Sequence, residues 1–252
     1  MPNYQQIAKD ARLKVLDLIY RAQVSHIGSN FSCIDILAVL FEKIDLDKDK
    51  FVLSKGWVAA SLYYFLWRKG RITEEELNSF CKEGSKFIGL AEPITPDIMI
   101  AGGSMGLGLP GAVGLALAKK IKKEEGKVYV LMSDGEMQCG TTHESTLIAV
   151  HHKLDNLIII VDWNGLQAMG KTKDILNIPG IEMMGHWIDG HNYESIESQL
   201  HTHLEVPRFI FAKTIKGKGV SFMSNNNLYH YAQLTKLDYD LAKYELMDLH
   251  HD

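Results

Sequence analysis

The sequence predicts an α/β fold, a doubly wound, mostly parallel sheet with helices on both faces, formed as a single domain over residues 1–252. Apolar runs at 128–132, 157–163 and 208–215 lack polar alternation and are rich in Val and Ile, as in strands buried on both faces of a parallel sheet. Helical patterns separate these runs, so strands and helices alternate along the chain. No repeat, low-complexity linker or proline-rich boundary divides the 252 residues, and a large α/β layer buries that length as one unit.

Leu13, Leu16 and Tyr20, flanked by Val15 and Ile19, make a helical stripe in the first segment, and Ile34, Ile36, Leu37 and Leu40 make a second. ITEEELNSFCKEG (72–84) reads as a helix that starts at a capping box, Thr73 being followed three residues later by Glu76. AGGSMGLGLPGAVGLALAKK (101–120) is a glycine loop opening a helix, and KKIKKEEGK (119–127) is its solvated end. VYVLM then leads to Ser133-Asp134-Gly135, and LIIIVDW leads to Asn164, thirty residues beyond Asp134.

Two hard oxygen ligands thus stand at the carboxyl ends of neighbouring parallel strands, where open α/β sheets bind ligands. Mg²⁺ takes one or two protein oxygens of this kind and leaves its other positions to water and phosphate oxygens. Gly135 keeps the turn free of side-chain bulk, so a diphosphate can approach the backbone and the next helix N-terminus. The same residues also suit an ordinary βα turn, with a helix-capping Asp and a strand-ending Asn. A third reading comes from GLGLPG (106–111), which fits G-x-G-x-x-G with Asp134 following at near-dinucleotide spacing. It implies a nicotinamide or flavin oxidoreductase, but the acidic residue sits in SDGE rather than in a ribose-binding loop.

A net charge of −4 and the lack of a Lys/Arg block argue against a nucleic-acid partner. Cys33, Cys81 and Cys139 are widely spaced with no CxxC, as in a protein with reduced thiols. MPNYQQIAKDAR lacks the apolar core of a signal peptide, and no apolar run nears the ~18 residues of a membrane span, so a cytoplasmic location is expected. The pairs His151/His152 and His201/His203 have no partners at metal spacing and are read as structural or surface residues.

The words around these residues resemble the transketolase family. SHIGSNFSCIDILAVLF (25–41) is similar to its segment beginning Gly-His-Pro-Gly, FVLSKG (51–56) to its next strand and turn, and AGGSMGLGLPGAVGLALAKK to its glycine loop. SDGE followed by Asn164 resembles the thiamine diphosphate motif, with Ser133 where Gly is usual, and KTIKGKGVSFMSNNNLYH (213–230) completes a match over about residues 5 to 235. The resemblance implies the thiamine diphosphate-binding fold, thiamine diphosphate and Mg²⁺ as cofactors, and transfer of a two-carbon ketol unit between sugars. Asp134, Asn164 and the Leu166 carbonyl would then hold the metal. Gly103, Ser104, Met105, Asp134, Gly135, Glu136, Asn164, Leu166 and Trp57 would contact the cofactor, and His26 and His230 would face cofactor and sugar as catalytic residues.

In the family the glutamate that activates the cofactor lies in a pyrimidine-binding domain. This chain ends at LAKYELMDLHHD, so the expectation is the N-terminal subunit of a split transketolase with a separately encoded partner, as a heterotetramer. Three departures bear on the substrate: SKGH becomes SKGW at Trp57, GHP becomes GLA at Leu90, and Cys139 replaces a glutamate of a carboxylate network whose second member remains as Glu144. The metal site is intact by this reading while the sugar site is rebuilt. A non-catalytic assembly or regulatory subunit is the alternative.

Overall fold

The computed structural model describes residues 2–201 and 204–248; His203, read above as structural, and the last four residues lie outside them. Two helices, α1 (Tyr4–Ala22) and α2 (Ile27–Lys43), lead into strand β1 (Lys50–Leu53), followed by α3 (Ala59–Arg68), α4 (Glu74–Asn78) and α5 (Gly108–Lys122). Next come β2 (Val128–Ser133), α6 (Gly140–His151), β3 (Leu157–Trp163), a two-stranded hairpin β4 (Leu166–Gln167) and β5 (Gly170–Lys171), and α7 (Thr172–Ile175). The chain closes with β6 (His186–Asp189), α8 (Tyr193–His201), β7 (Arg208–Lys213) and α9 (Lys236–Asp248). The main sheet runs β1-β2-β3-β7-β6 with every pair parallel, in the expected α/β arrangement.

Strand alternation divides the core between the two faces of this sheet. Phe51, Leu53, Tyr129, Leu131, Ile158, Ile160, Ile210 and Ala212 pack with α1, α2, α3, α8 and α9. Val52, Val130, Met132, Ile159, Val161, Phe209 and Phe211 pack with α5 and α6. Both faces are covered, which is why the strands read as unbroken apolar runs. Helix α2 is buried around its whole circumference from Ile27 to Phe41, so the stripe read in its sequence is one side of a central helix.

Two expectations change. The capping box forms, with Thr73 Oγ1 accepting from Glu76 N at 3.1 Å and Glu76 Oε2 accepting from Thr73 N at 2.9 Å, yet α4 stops at Asn78. Beyond it Cys81 adopts φ 51° and its N–H donates to Phe87 O, which folds the chain back instead of extending the helix to 84. Strand β7 ends at Lys213, because the Ile215 N–H turns away from the ladder to His191 Nε2 at 2.8 Å. The short edge strand β6 and the hairpin β4–β5 are not apparent from the sequence, as neither carries an apolar run. Among the described residues no helix is long and apolar enough to cross a membrane, and Cys33, Cys81 and Cys139 are unpaired thiols.

One buried ion pair locks α1 to α2. Arg12 donates to Asp35 through Nη1 at 2.9 Å and Nη2 at 2.7 Å, and to Phe31 O at 3.3 Å. Asp35 also takes Tyr193 Oη at 3.1 Å and His191 Nδ1 at 2.7 Å. Burial alone would raise the Asp35 carboxyl, but Arg12 and His191 hold it well below the usual carboxylate range. Asp35→Ala strands a guanidinium in the core, so denaturant unfolding should show a loss of about 3–5 kcal/mol. A loss under about 1 kcal/mol, the size of a surface pair, would contradict this account.

Candidate functional site

The carboxyl ends of β1, β2 and β3 converge on a cavity of about 290 Å³. His26 enters from the turn before α2 and Trp57 from the turn after β1. Asp134 and Gly135 enter from the end of β2, Asn164 and Leu166 from the end of β3, and His230 from the segment before α9. The glycine loop contributes Gly103 and Met105. That loop crosses close over β1: a Cβ on Gly102 would stand 2.1 Å from Leu53 O, and Gly56 N donates to Gly102 O at 2.8 Å. Only glycine permits this approach.

Two expected cofactor contacts are not among the lining residues. Ser104 is exposed outside the cavity. Glu136 is fully buried, and its carboxylate accepts from Ser133 N at 2.8 Å, Ser133 Oγ at 3.0 Å, Gly106 N at 3.1 Å and Ser54 Oγ. It therefore ties the ends of β1 and β2 to the glycine loop instead of facing a ligand. The dinucleotide reading fails on the same ground of placement: GLGLPG opens α5 from a long loop, not from a strand, and a Cβ on Gly108 would meet Ser54 Cβ at 2.4 Å.

Asp134 is 1 % exposed, and burial pushes its carboxyl up to about 6. Its Oδ1 accepts from Gly135 N at 2.8 Å, and Oδ2 from Gly165 N at 2.7 Å and Thr172 Oγ1 at 2.9 Å, so the carboxylate is fixed by the hairpin that follows β3. Asn164 Oδ1 accepts from Leu166 N at 3.0 Å. Among the described residues no cluster of three or more His, Cys, Asp or Glu stands ready for a metal. The cavity offers one carboxylate together with an amide oxygen and backbone carbonyls, all hard oxygens, a set that suits Mg²⁺ when a ligand adds its own phosphate oxygens. A Cβ on Gly135 would come within 3.0 Å of Met105 Cε and 3.1 Å of Gln167 Cδ, so a side chain here would have to push Met105 and Gln167 aside.

Two charged residues escaped sequence reasoning. Lys55 lines the cavity and forms a buried ion pair with Asp162, and also donates to Ser29 O at 3.3 Å. The available signals were the single Asp inside LIIIVDW and the lysine of the SKG turn. Lys216 is completely buried behind the cavity, with Nζ 2.8 Å from His230 Nδ1. Burial and the nearby Lys55 lower its ammonium to about 8.

His26 and His230 meet edge to face with ring centroids 5.0 Å apart, and the backbone N–H of His26 donates to the backbone carbonyl of His230 at 3.0 Å. Of the substituted positions, Trp57 forms part of the wall, and Leu90 stands beside Gly103, its carbonyl accepting from Tyr63 Oη at 3.0 Å. Cys139 packs against Gly106, and Glu144 is exposed on α6. His151 and His152 sit at the end of α6 against one another, away from the cavity.

Comparison with known proteins gives consistent matches. A family model described as transketolase, thiamine diphosphate binding domain, matches residues 3–248. The chain is 34 % identical to an apulose-4-phosphate transketolase subunit of Actinobacillus succinogenes, covering 96 % of this chain and 95 % of that protein. It is 32 % identical to the 6-deoxy-6-sulfo-D-fructose transketolase subunit SqwG of a Clostridium species, covering 96 % and 95 % respectively. The crystal structure of transketolase from Campylobacter jejuni superposes with a TM-score of 0.90 at 29 % identity; 98 % of this chain matches 43 % of that longer one.

Both cavity histidines are predicted to stay neutral at physiological pH. Burial first, and Lys216 with it, lowers His26 to about 4 and His230 to about 3. The unfolded chain then binds protons that the folded chain refuses. This stability contribution is complete above about pH 6.5 and is lost as pH falls towards the folded values. Imidazole NMR titration should place both midpoints below pH 5; a midpoint above 6 for either ring would show that it is not desolvated.

Proposed function

The chain belongs to the transketolase family, in its thiamine diphosphate-binding domain, and on that basis we propose that it is one half of a split transketolase that moves a two-carbon ketol unit between sugars. The observation that carries this reading is the set of hard oxygens at Asp134, Asn164 and Leu166 on one wall of a cavity that also holds His26 and His230. When bound, thiamine diphosphate supplies the carbon nucleophile for ketol transfer. Asp134, Asn164 and the Leu166 carbonyl would hold Mg²⁺, and Gly135 would leave the backbone open to a diphosphate. Trp57 and Met105 supply part of the apolar wall. The neutral imidazoles of His26 and His230 hydrogen-bond the sugar.

A partner subunit completes the site in this reading. Asp134 is the only acid that lines the cavity among the described residues and would serve the metal, so the carboxylate that activates the aminopyrimidine would come from outside these residues, in this reading from a pyrimidine-binding partner. Relatives that are themselves named as single subunits of a transketolase match over nearly their whole length, which supports such a division. Two copies of each chain make the simplest symmetric assembly. We place it in the cytosol, where three unpaired thiols persist.

Trp57 and Leu90 set apolar groups where the family motif has imidazoles, and this favours a specialised donor over ordinary pentose phosphates. An apolar wall leaves a buried sugar hydroxyl unpaired. The relatives named for apulose-4-phosphate and 6-deoxy-6-sulfo-D-fructose point the same way.

Asp134→Ala should fold normally and lose Mg²⁺-dependent thiamine diphosphate binding in calorimetry; unchanged affinity would reject the metal assignment. The purified chain alone should show no ketol transfer, and robust turnover without a partner would overturn the split-site reading. In the reconstituted pair, xylulose 5-phosphate should be used with a kcat/KM below about 10⁴ M⁻¹s⁻¹, and Trp57→His with Leu90→His should recover part of that activity. A higher value in the unmodified pair would reject the specialised donor.

A further inference from the structure

The segment 214–219, which leaves β7 behind the cavity, is gripped from both sides. On its far side the Ile215 N–H donates to His191 Nε2 at 2.8 Å, while His191 Nδ1 lies 2.7 Å from Asp35 Oδ2. A backbone amide only donates, so Nε2 is the acceptor and the ring proton sits on Nδ1, directed at Asp35. Arg12, which locks Asp35, also donates through Nε to Lys218 O at 3.0 Å, and a Cβ on Gly219 would come within 3.1 Å of Arg12 Cδ. On the near side Gly217 N donates to Gly28 O at 2.9 Å, and Asn225 N donates to Lys216 O at 2.8 Å. Lys216 lies between these grips with its Nζ 2.8 Å from His230 Nδ1 and 3.3 Å from Asn227 Oδ1.

We propose that His191 and Lys216 are positioning residues for His230: the Arg12–Asp35–His191 chain sets the 214–219 segment, and the segment sets the Lys216 ammonium. The ammonium in turn fixes the His230 tautomer whose Nε2–H faces the cavity. An ammonium has three donors and no acceptor, so His230 Nδ1 must accept and the single proton of the neutral ring stays on Nε2. His230 then offers the cavity a donor, suited to a sugar oxygen, and cannot act there as an acceptor. The neighbouring His26 meets Ser25 Oγ at 2.8 Å through Nδ1, a hydroxyl that can donate or accept and therefore imposes no tautomer. The two imidazoles are thus not equivalent. The consequence for turnover rests on the proposed ketol transfer, whereas the tautomer itself does not.

Nitrogen-15 imidazole NMR of the full chain near pH 7 reads the tautomer directly. The unmodified protein should show His230 with Nδ1 unprotonated and Nε2 protonated. Lys216→Met, which keeps the stem and removes the donor, and His191→Phe, which keeps the ring and removes both nitrogens, should each convert that signature to a mixture of tautomers. His191→Gln, whose side-chain oxygen can accept from Ile215 N–H, should restore it. With cofactor and partner present, kcat of Lys216→Met should fall about tenfold, the effect of one misplaced charged hydrogen bond. A protonated Nδ1 in the unmodified protein, or one unchanged tautomer across Lys216→Met and His191→Phe, would overturn the proposal. Thiamine diphosphate binding measured in parallel separates the two readings, because the tautomer result decides the relay whether or not the cofactor binds.

Discussion

The buried Lys55–Asp162 ion pair joins four of the elements that frame the cavity. Lys55 comes from the turn after β1 and Asp162 from β3. Ser32 of α2 donates to Asp162 Oδ2 at 2.5 Å, and Thr214, just after β7, donates to Oδ1. Burial would by itself lower the Lys55 ammonium, but Asp162 raises it above its ordinary value. A pair of this kind gains little net stability over apolar side chains of equal volume. Its contribution is geometric, because an uncompensated charge in the core is so costly that the four segments have one low-energy arrangement. Glu136 does the same for the glycine loop, and Arg12–Asp35 for the segment that carries Lys216.

The cavity is consequently built on two levels. Lining it are Asp134, Asn164, Leu166 and the two imidazoles, with Lys55, Trp57 and Met105 beside them. Fully buried charges fix the loops around them, and these charges add to the effect of burial on the protonation of the lining groups. Burial first, and Lys216 and Lys55 with it, lowers His26 and His230. Asp134 is pushed up by burial in spite of its hydrogen bonds and the nearby Lys55, which is the electrostatic condition that a divalent ion relieves.

What is legible in the sequence is whatever depends on short spacing. Strands β2, β3 and β7 announce themselves because both faces are covered, and Asp134 and Asn164 stand where such strands end. Strand β6 stays hidden because an edge strand with half its residues exposed carries no apolar run. The helix expected over 72–84 stops at Asn78 because a capping box specifies where a helix starts and says nothing of where tertiary contacts end it. Glu136 misleads because a carboxylate in a motif can serve backbone amides as well as ligands. Lys55 and Asp162 are far apart along the chain, as are Asp35 and His191, and only the fold shows that they are partners.

In the proposed site Asp134, Asn164 and Leu166 hold a divalent ion together with thiamine diphosphate. Manganese, a paramagnetic substitute with the same preference for oxygen ligands, tests it on the chain itself. Added with thiamine diphosphate, Mn²⁺ should broaden the backbone amide signals of Gly135, Gly165 and Leu166 before any others, and much less in the absence of the cofactor. Broadening centred elsewhere, or unchanged by thiamine diphosphate, would contradict the account.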